Sequence, residues 1–158
     1  MKATPIVSSG LTGTSAMTLF SYIVSENKEK NFKEPEVLAQ LLQNMLPQIK
    51  KEPTQVAGWS MHYSMGMIFA LIYEYLWQER KVKPTIKNGL ILGGLSGLAG
   101  IMVWKLVFKI HPNPPKLHFN RYYGHLFLAH LVFGTFAAIG HNLVQNKGLS
   151  HYPGKSIN

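Results

Sequence analysis

The chain has 158 residues, of which 46% are hydrophobic and only 15% are charged. Sixteen Lys and Arg residues face seven Glu and no Asp, which gives a net charge of +9, and there is no Cys. The missing Cys excludes a disulfide framework, a thiolate metal site and a Cys nucleophile.

Charge is distributed unevenly along the chain. More than half of the residues lie in four blocks without Lys, Arg, Asp or Glu, at 5–24, 54–73, 88–104 and 122–146. A soluble helix carries charge on its outer face, whereas a helix that crosses a bilayer needs about 20 mostly apolar residues. We therefore predict an all-α, four-span transmembrane bundle in one membrane domain, residues 1–158, with spans at about 5–25, 54–78, 85–110 and 121–145.

The first predicted span is rich in small residues. Gly10, Gly13 and several Ser and Thr residues alternate with Ile, Leu, Met and Phe. Small residues let helices approach closely in lipid, so we expect this helix to pack inside the bundle. The polar residues dilute the apolar stretch and no small-residue cleavage pattern follows it, so we interpret it as a span and not as a signal peptide.

Residues 35–51 form a shorter and more polar segment. Its apolar residues recur at helical spacing between Gln and Asn residues: Val37, Leu38, Leu41, Leu42, Met45, Leu46 and Ile49. Pro35 suits a first helical turn, and we expect Pro47 to kink the helix. One apolar stripe on a helix too short to span predicts an amphipathic helix that lies in the membrane interface or caps the bundle.

The third and fourth spans carry the strongest packing signal. Gly89, Gly93 and Gly97 are four residues apart, and such glycines make a smooth groove for a partner helix. In the fourth span Gly134 shares a narrow face with His130 and His141. We predict helix packing through these four glycines.

Two histidines are predicted to lie at the same depth in the bundle. His62 and His130 are each about eight residues into their spans, counted from the same side of the membrane, and Met61 and Met65 flank His62. Imidazole and thioether groups suit a transition metal such as copper, and two facing imidazoles can ligate haem iron. The alternative is hydrogen bonding to neighbouring helices, and we expect His125 to turn away toward the interface.

Recognisable catalytic motifs are missing. The sequence contains no HExxH, GxSxG or Walker-type motif, and Glu74, near the end of the second span, is expected to pair with Lys81 or to snorkel. We predict a membrane protein without enzymatic activity that acts as a structural or accessory subunit through Gly-rich helix packing, with no cofactor. The alternative is histidine-based binding of a transition metal or haem. A third hypothesis, a small transporter, suffers from the lack of membrane-buried acidic residues.

Part of the chain resembles a known family. His62 with Ser64 and Tyr73, the three spaced glycines after a basic hairpin, the proline-rich break at 112–115 and the sequence at 124–126 are similar to the YagU-like family of small bacterial inner-membrane proteins of unknown function. The similarity covers roughly residues 56–140. It implies a location in the bacterial inner membrane and little about chemistry.

Basic residues indicate the partners and the orientation. They flank the charge-free blocks, where long side chains reach anionic lipid headgroups, so we expect a lipid bilayer and no nucleic acid as partner. A homo-oligomer or a larger membrane complex is the further expectation. Arg80, Lys81, Lys83 and Lys87 crowd one short hairpin, which favours a multi-pass orientation with cytoplasmic termini.

Overall fold

In a computed structural model the protein is all-α, as predicted. The structure describes residues 2–28 and 31–150, with side chains through residue 145. These residues form five helices and no strand: α1 (Ala3–Lys28), α2 (Glu34–Met45), α3 (Lys51–Gln78), α4 (Ile86–Ile110) and α5 (Phe119–Ser150). The domain predicted for residues 1–158 extends beyond the described residues at both ends.

Local sequence signals explain where the helices begin and end. Thr85 caps α4, because its side chain accepts a hydrogen bond from the Asn88 backbone N–H at 3.2 Å. The amphipathic helix stops at Met45 and does not continue to residue 51 as expected. The residue before a proline disfavours the helical conformation, so Pro47 ends this helix and does not kink it. A new helix, α3, begins at Lys51.

The long helices are arranged in a curved row. α5 packs between α1 and α4, α1 packs between α5 and α3, and α2 lies against α3. The two ends of the row meet where the Tyr73 hydroxyl of α3 hydrogen-bonds the Ser96 hydroxyl of α4 at 2.7 Å. At one end of the bundle α2 is joined to the α4–α5 loop, since the Asn44 side chain donates to the Asn113 carbonyl oxygen at 2.9 Å.

The polarity of α1 is inverted relative to a helix of a water-soluble protein. Its large apolar side chains point outward, with Leu19 63% exposed and Ile23 52% exposed. Ser9, Thr14 and Ser21 are at most 1% exposed and face the other helices. The small and polar residues of α1 therefore form its packing face, as the sequence predicted for a helix inside the bundle.

Two of the five helices in the described residues are long and apolar enough to cross a membrane, Ile86–Ile110 and Phe119–Gln145. By length and composition alone, two helices and not the expected four qualify as membrane spans. Ser and Thr residues lower the mean hydropathy of α1, and polar residues lower that of α3. The core helix of a soluble protein satisfies the same criterion, but such a helix is mostly buried. Only 22% of the most apolar stretch of α4 is buried.

Candidate functional site

A cavity of about 220 Å³ lies between α1, α3, α4 and α5, under one end of α2. Its lining is almost entirely apolar and rich in aromatic and methionine side chains: Met17, Met61, Met65, Phe69, Trp104 and Phe133. The few polar residues in the lining are Thr14, Glu34, His62 and His130. An apolar cavity with a few polar groups is the usual form of a small-molecule site.

The cavity opens sideways, between α3 and α4. Met61 and Met65 of α3 and Val103 of α4 line it, and each of the three is more than 40% exposed on the outer surface of the bundle. The contact between Tyr73 and Ser96 holds α3 and α4 together on the side of the hairpin that joins them. The two helices separate toward α2, and this separation forms the opening.

The two histidines singled out from the sequence line this one cavity. His62 is 6% exposed and His130 is 5% exposed. The Thr18 hydroxyl donates to the Thr14 carbonyl oxygen at 2.7 Å, so the Nε2–H of His62 donates to Thr18 Oγ1 at 2.8 Å. The Nδ1–H of His130 donates to the Leu126 carbonyl oxygen at 2.9 Å. Within the described residues each ring therefore keeps one nitrogen with a free lone pair, Nδ1 in His62 and Nε2 in His130.

The prediction for His125 was wrong, because its side chain does not turn outward. It is 6% exposed and stacks between two aromatic rings, with centroid distances of 5.2 Å to Phe20 and 4.6 Å to Phe32. Its Nε2 lies 2.9 Å from the Ser21 hydroxyl. The segment before α2 folds back over the start of α5, and this long-range contact has no signature in the helical pattern.

Glu34 is a polar residue of the cavity that the sequence analysis did not single out. It is 2% exposed, and its Oε1 accepts a hydrogen bond from the Ser21 hydroxyl at 3.2 Å. Its Oε2 is buried without a hydrogen-bond partner in the described part of the chain. Burial raises the pKa of this carboxyl from 4.5 to about 7, because a low-dielectric environment disfavours the charged form. The available signal was its spacing, since Glu34 lies on the same helical face as Val37, Leu38 and Leu41.

A second buried polar cluster lies near the opposite end of the bundle, and it corrects the prediction for Glu74. This side chain neither snorkels nor pairs with Lys81; it is 0% exposed. It accepts hydrogen bonds from the Ser9 hydroxyl at 2.8 Å, from the Gln78 amide at 2.8 Å and from His141 Nδ1 at 2.7 Å. Spacing again held a signal, since Glu74 continues a series of buried residues four apart: Gly58, His62, Gly66 and Ala70.

These two acidic residues bear on the third hypothesis, a small transporter. The transporter hypothesis was disfavoured because buried acidic residues were not expected. Glu34 and Glu74 are both buried, and they lie near opposite ends of the bundle. That objection therefore no longer holds.

The spaced glycines lie where α4 meets α5. A Cβ on Gly93 would meet the carbonyl oxygen of His130, and one on Gly89 would meet that of Gly134. A Cβ on Gly97 would lie 3.1 Å from the Cβ of His130, and one on Gly134 would lie 2.8 Å from the Cα of Gly93. The groove is thus filled by a helix of the same chain.

The geometry bears on the metal hypothesis in two ways. Within the described residues there is no group of three or more His, Cys, Asp or Glu side chains arranged to hold a metal ion. The candidate ligands for a metal or haem at the cavity include the free nitrogens of His62 and His130, with the thioethers of Met61 and Met65 also in the lining.

Comparison with protein-family models, curated proteins and solved structures finds no significant match to this chain. The resemblance to the YagU-like family stays a prediction based on the short motifs described above.

Proposed function

We propose that the chain is an integral membrane protein in which α1, α3, α4 and α5 all cross the bilayer and α2 lies in the interface. The observation that carries this proposal is the inverted polarity of α1. In water, its exposed leucine and isoleucine side chains would add to a large apolar surface of the kind that monomeric soluble proteins avoid. In lipid the same arrangement is favourable, because apolar side chains face the acyl chains and polar side chains find partners between helices.

The outer surface of α3 supports the same placement. Val56 is 67% exposed, Ile68 is 49% exposed and Ile72 is 47% exposed, whereas His62 and Glu74 face inward. Polar residues in the middle of a helix lower its overall hydropathy. When they are hydrogen-bonded inside the bundle, they do not prevent the helix from contacting lipid.

Cysteine labelling distinguishes four spans from two, and the natural absence of Cys removes background labelling. Lys50→Cys, Arg80→Cys and Asn113→Cys each place a thiol at an exposed position between helices. With four spans, positions 50 and 113 react on one side of the membrane and position 80 reacts on the other. If only α4 and α5 cross, positions 50 and 80 react on the same side, and that result would refute the proposal.

The same experiment tests the location and orientation that we propose, which are the bacterial inner membrane with cytoplasmic termini. A membrane-impermeant maleimide added to spheroplasts should label positions 50 and 113 and leave position 80 unlabelled until the cells are lysed. The basic hairpin supports this orientation because Lys and Arg near span ends are retained on the cytoplasmic side. Labelling of position 80 in intact spheroplasts would indicate the opposite orientation, with periplasmic termini.

We further propose that the protein acts as a non-enzymatic structural or accessory subunit, in a homo-oligomer or a larger membrane complex. Because α5 fills the glycine groove, a partner helix would contact the outward apolar face of α4, where Leu95 is 59% exposed and Met102 is 71% exposed. The test is the protein mass in a detergent–protein complex, measured for the wild type and for Met102→Trp. A mass equal to one chain for both proteins contradicts self-association through this face.

The alternative function, metal or haem binding, is favoured by one observation: His62 and His130 line the same cavity. An absorption spectrum and a metal analysis of the purified protein test it directly. If the pair ligates an ion or haem iron, His62→Ala and His130→Ala should each remove the bound species. A colourless and metal-free wild-type protein after expression with haem precursor and metal supplements would rule it out.

A further inference from the structure

Two buried polar atoms at the cavity have no partner in the described part of the chain, Glu34 Oε2 and Thr14 Oγ1. Glu34 is 2% exposed and Thr14 is 1% exposed, and both residues line the cavity. A buried polar group without a hydrogen bond is strongly unfavourable, so native structures nearly always satisfy such groups. A ligand in the cavity with hydrogen-bonding groups of its own would satisfy both atoms once the two side chains rotate toward it.

The two unpartnered atoms lie at different depths. Thr14 precedes Ser21 by seven residues on α1, which is about 10 Å along the helix, and Ser21 holds the carboxyl of Glu34. His130, with its free Nε2, faces Gly100 and lines the cavity together with Thr14. The cavity thus has polar groups at two separated positions and an apolar stretch between them.

The size and lining of the cavity favour an aromatic ring between these polar ends. Roughly 150 Å³ is enough for an apolar cavity to bind benzene, so about 220 Å³ accommodates one substituted ring. Phe69, Trp104 and Phe133 offer ring faces and edges, and the neighbouring methionine sulfurs make favourable contacts with aromatic rings. A six-membered ring with an oxygen at each end, plus hydrogen bonds of about 2.8 Å at both ends, spans roughly 11 Å.

We propose that this cavity binds a neutral, lipid-soluble aromatic molecule with hydroxyl groups at both ends of its ring, of the hydroquinone class. One hydroxyl bonds Glu34 Oε2 and the other bonds Thr14 Oγ1, so both unpartnered atoms gain a hydrogen bond. An apolar tail leaves through the opening between α3 and α4. The route of access depends on the membrane placement proposed above, whereas the chemistry of the site does not. Since the pKa of Glu34 is about 7, near neutral pH its carboxyl is present both protonated and ionised, and it can donate or accept this hydrogen bond.

Quenching of Trp104 fluorescence by brominated probes tests the proposal, because a bromine atom quenches only on close contact. Trp59→Phe and Trp77→Phe leave Trp104 as the single tryptophan of the chain. The probes are three ring-brominated compounds with the same nonyl tail: a hydroquinone kept reduced with ascorbate, a phenol and a benzene. We expect saturable quenching by the hydroquinone, and an affinity about tenfold lower for each hydroxyl removed.

Variants at the two polar ends supply the controls. Glu34→Leu should abolish the preference for hydroquinone over phenol. Thr14→Val, which removes the hydroxyl at the other end of the cavity, should also abolish this preference. Either variant tests the inference if the other fails to fold. Glu34→Gln keeps a hydrogen-bonding group and should retain the preference. Leu98→Ala, on the exposed face of α4, should change nothing.

Two results overturn this inference. Quenching that rises with the probe fraction in the micelle without saturating indicates partition into detergent only. Saturable quenching with equal affinity for the three probes indicates a cavity that does not recognise hydroxyl groups. Either result leaves the cysteine-labelling pattern untouched, so failure of this inference is distinguishable from failure of the membrane proposal.

Discussion

The replacement Glu34→Gln should make the protein about 3 kcal/mol more stable at pH 8 and only about 1 kcal/mol more stable at pH 5. Gln has the size of a protonated Glu and keeps the acceptor for the Ser21 hydroxyl. Below pH 4.5 the wild-type carboxyl is protonated in both the folded and the unfolded chain. Between pH 4.5 and about 7 the unfolded chain loses a proton that the folded chain retains, so the free energy of unfolding falls as pH rises.

The size of this stability change follows from the difference between the folded and unfolded pKa values of Glu34. One pKa unit corresponds to about 1.4 kcal/mol, so a pKa raised from 4.5 to about 7 lowers the wild-type free energy of unfolding by about 3 kcal/mol at pH 8. The Gln variant lacks this loss. Other titratable groups near Glu34, namely Tyr22, Tyr122 and His125, are present in both proteins, so their contributions largely cancel in the difference.

Reversible unfolding by SDS in mixed micelles, at several pH values from 5 to 8, measures this difference. The stability of the Gln variant relative to the wild type should increase steadily to about pH 7 and then level off. Ser21→Ala is a useful control, because it removes the hydrogen bond to Glu34 without removing the carboxyl. A difference that stays constant from pH 5 to pH 8 would show that Glu34 titrates normally, and the account of its burial would be wrong.

Three further predictions concern packing and the other buried polar groups. His141→Ala removes a hydrogen-bond donor to the buried carboxyl of Glu74 and should destabilise the protein by about 1–3 kcal/mol in SDS unfolding, whereas adding Glu74→Gln to it should restore part of the loss; no restoration would mean that the pair is not coupled. Gly93→Leu should lower the thermal unfolding midpoint strongly, because the added side chain prevents α4 and α5 from packing closely. Leu95→Phe, on the outer face of α4, should leave the midpoint nearly unchanged. Equal midpoints for the two variants would contradict close packing of α5 in the glycine groove. His62→Ala should reduce the free energy of unfolding by about 0.6–2 kcal/mol through loss of its hydrogen bond to α1, unless a bound ion is also lost, and metal analysis of the variant separates these cases.

The sequence by itself determined the helices and their approximate bounds. Charge-free blocks and helical spacing need only local information, since a helix satisfies its backbone hydrogen bonds within one segment. The same periodicity identified the glycine face of α4, and counting residues along the spans brought together His62 and His130, which line one cavity. Where a local rule was misjudged, as at Pro47, the bound of a helix was wrong as well.

Only the tertiary structure decided which polar groups meet. The cavity exists because α3 and α4 are held together at Tyr73 and separate toward α2, and this separation depends on how the helices pack around α5 and α1. The burial of Glu34 depends on α2 folding back over the bundle, and the pairing of Glu74 with His141 joins residues 67 positions apart. The sequence shows the residue types and the helical faces, but side-chain pairs between helices depend on rotation and crossing angle, which no single segment specifies.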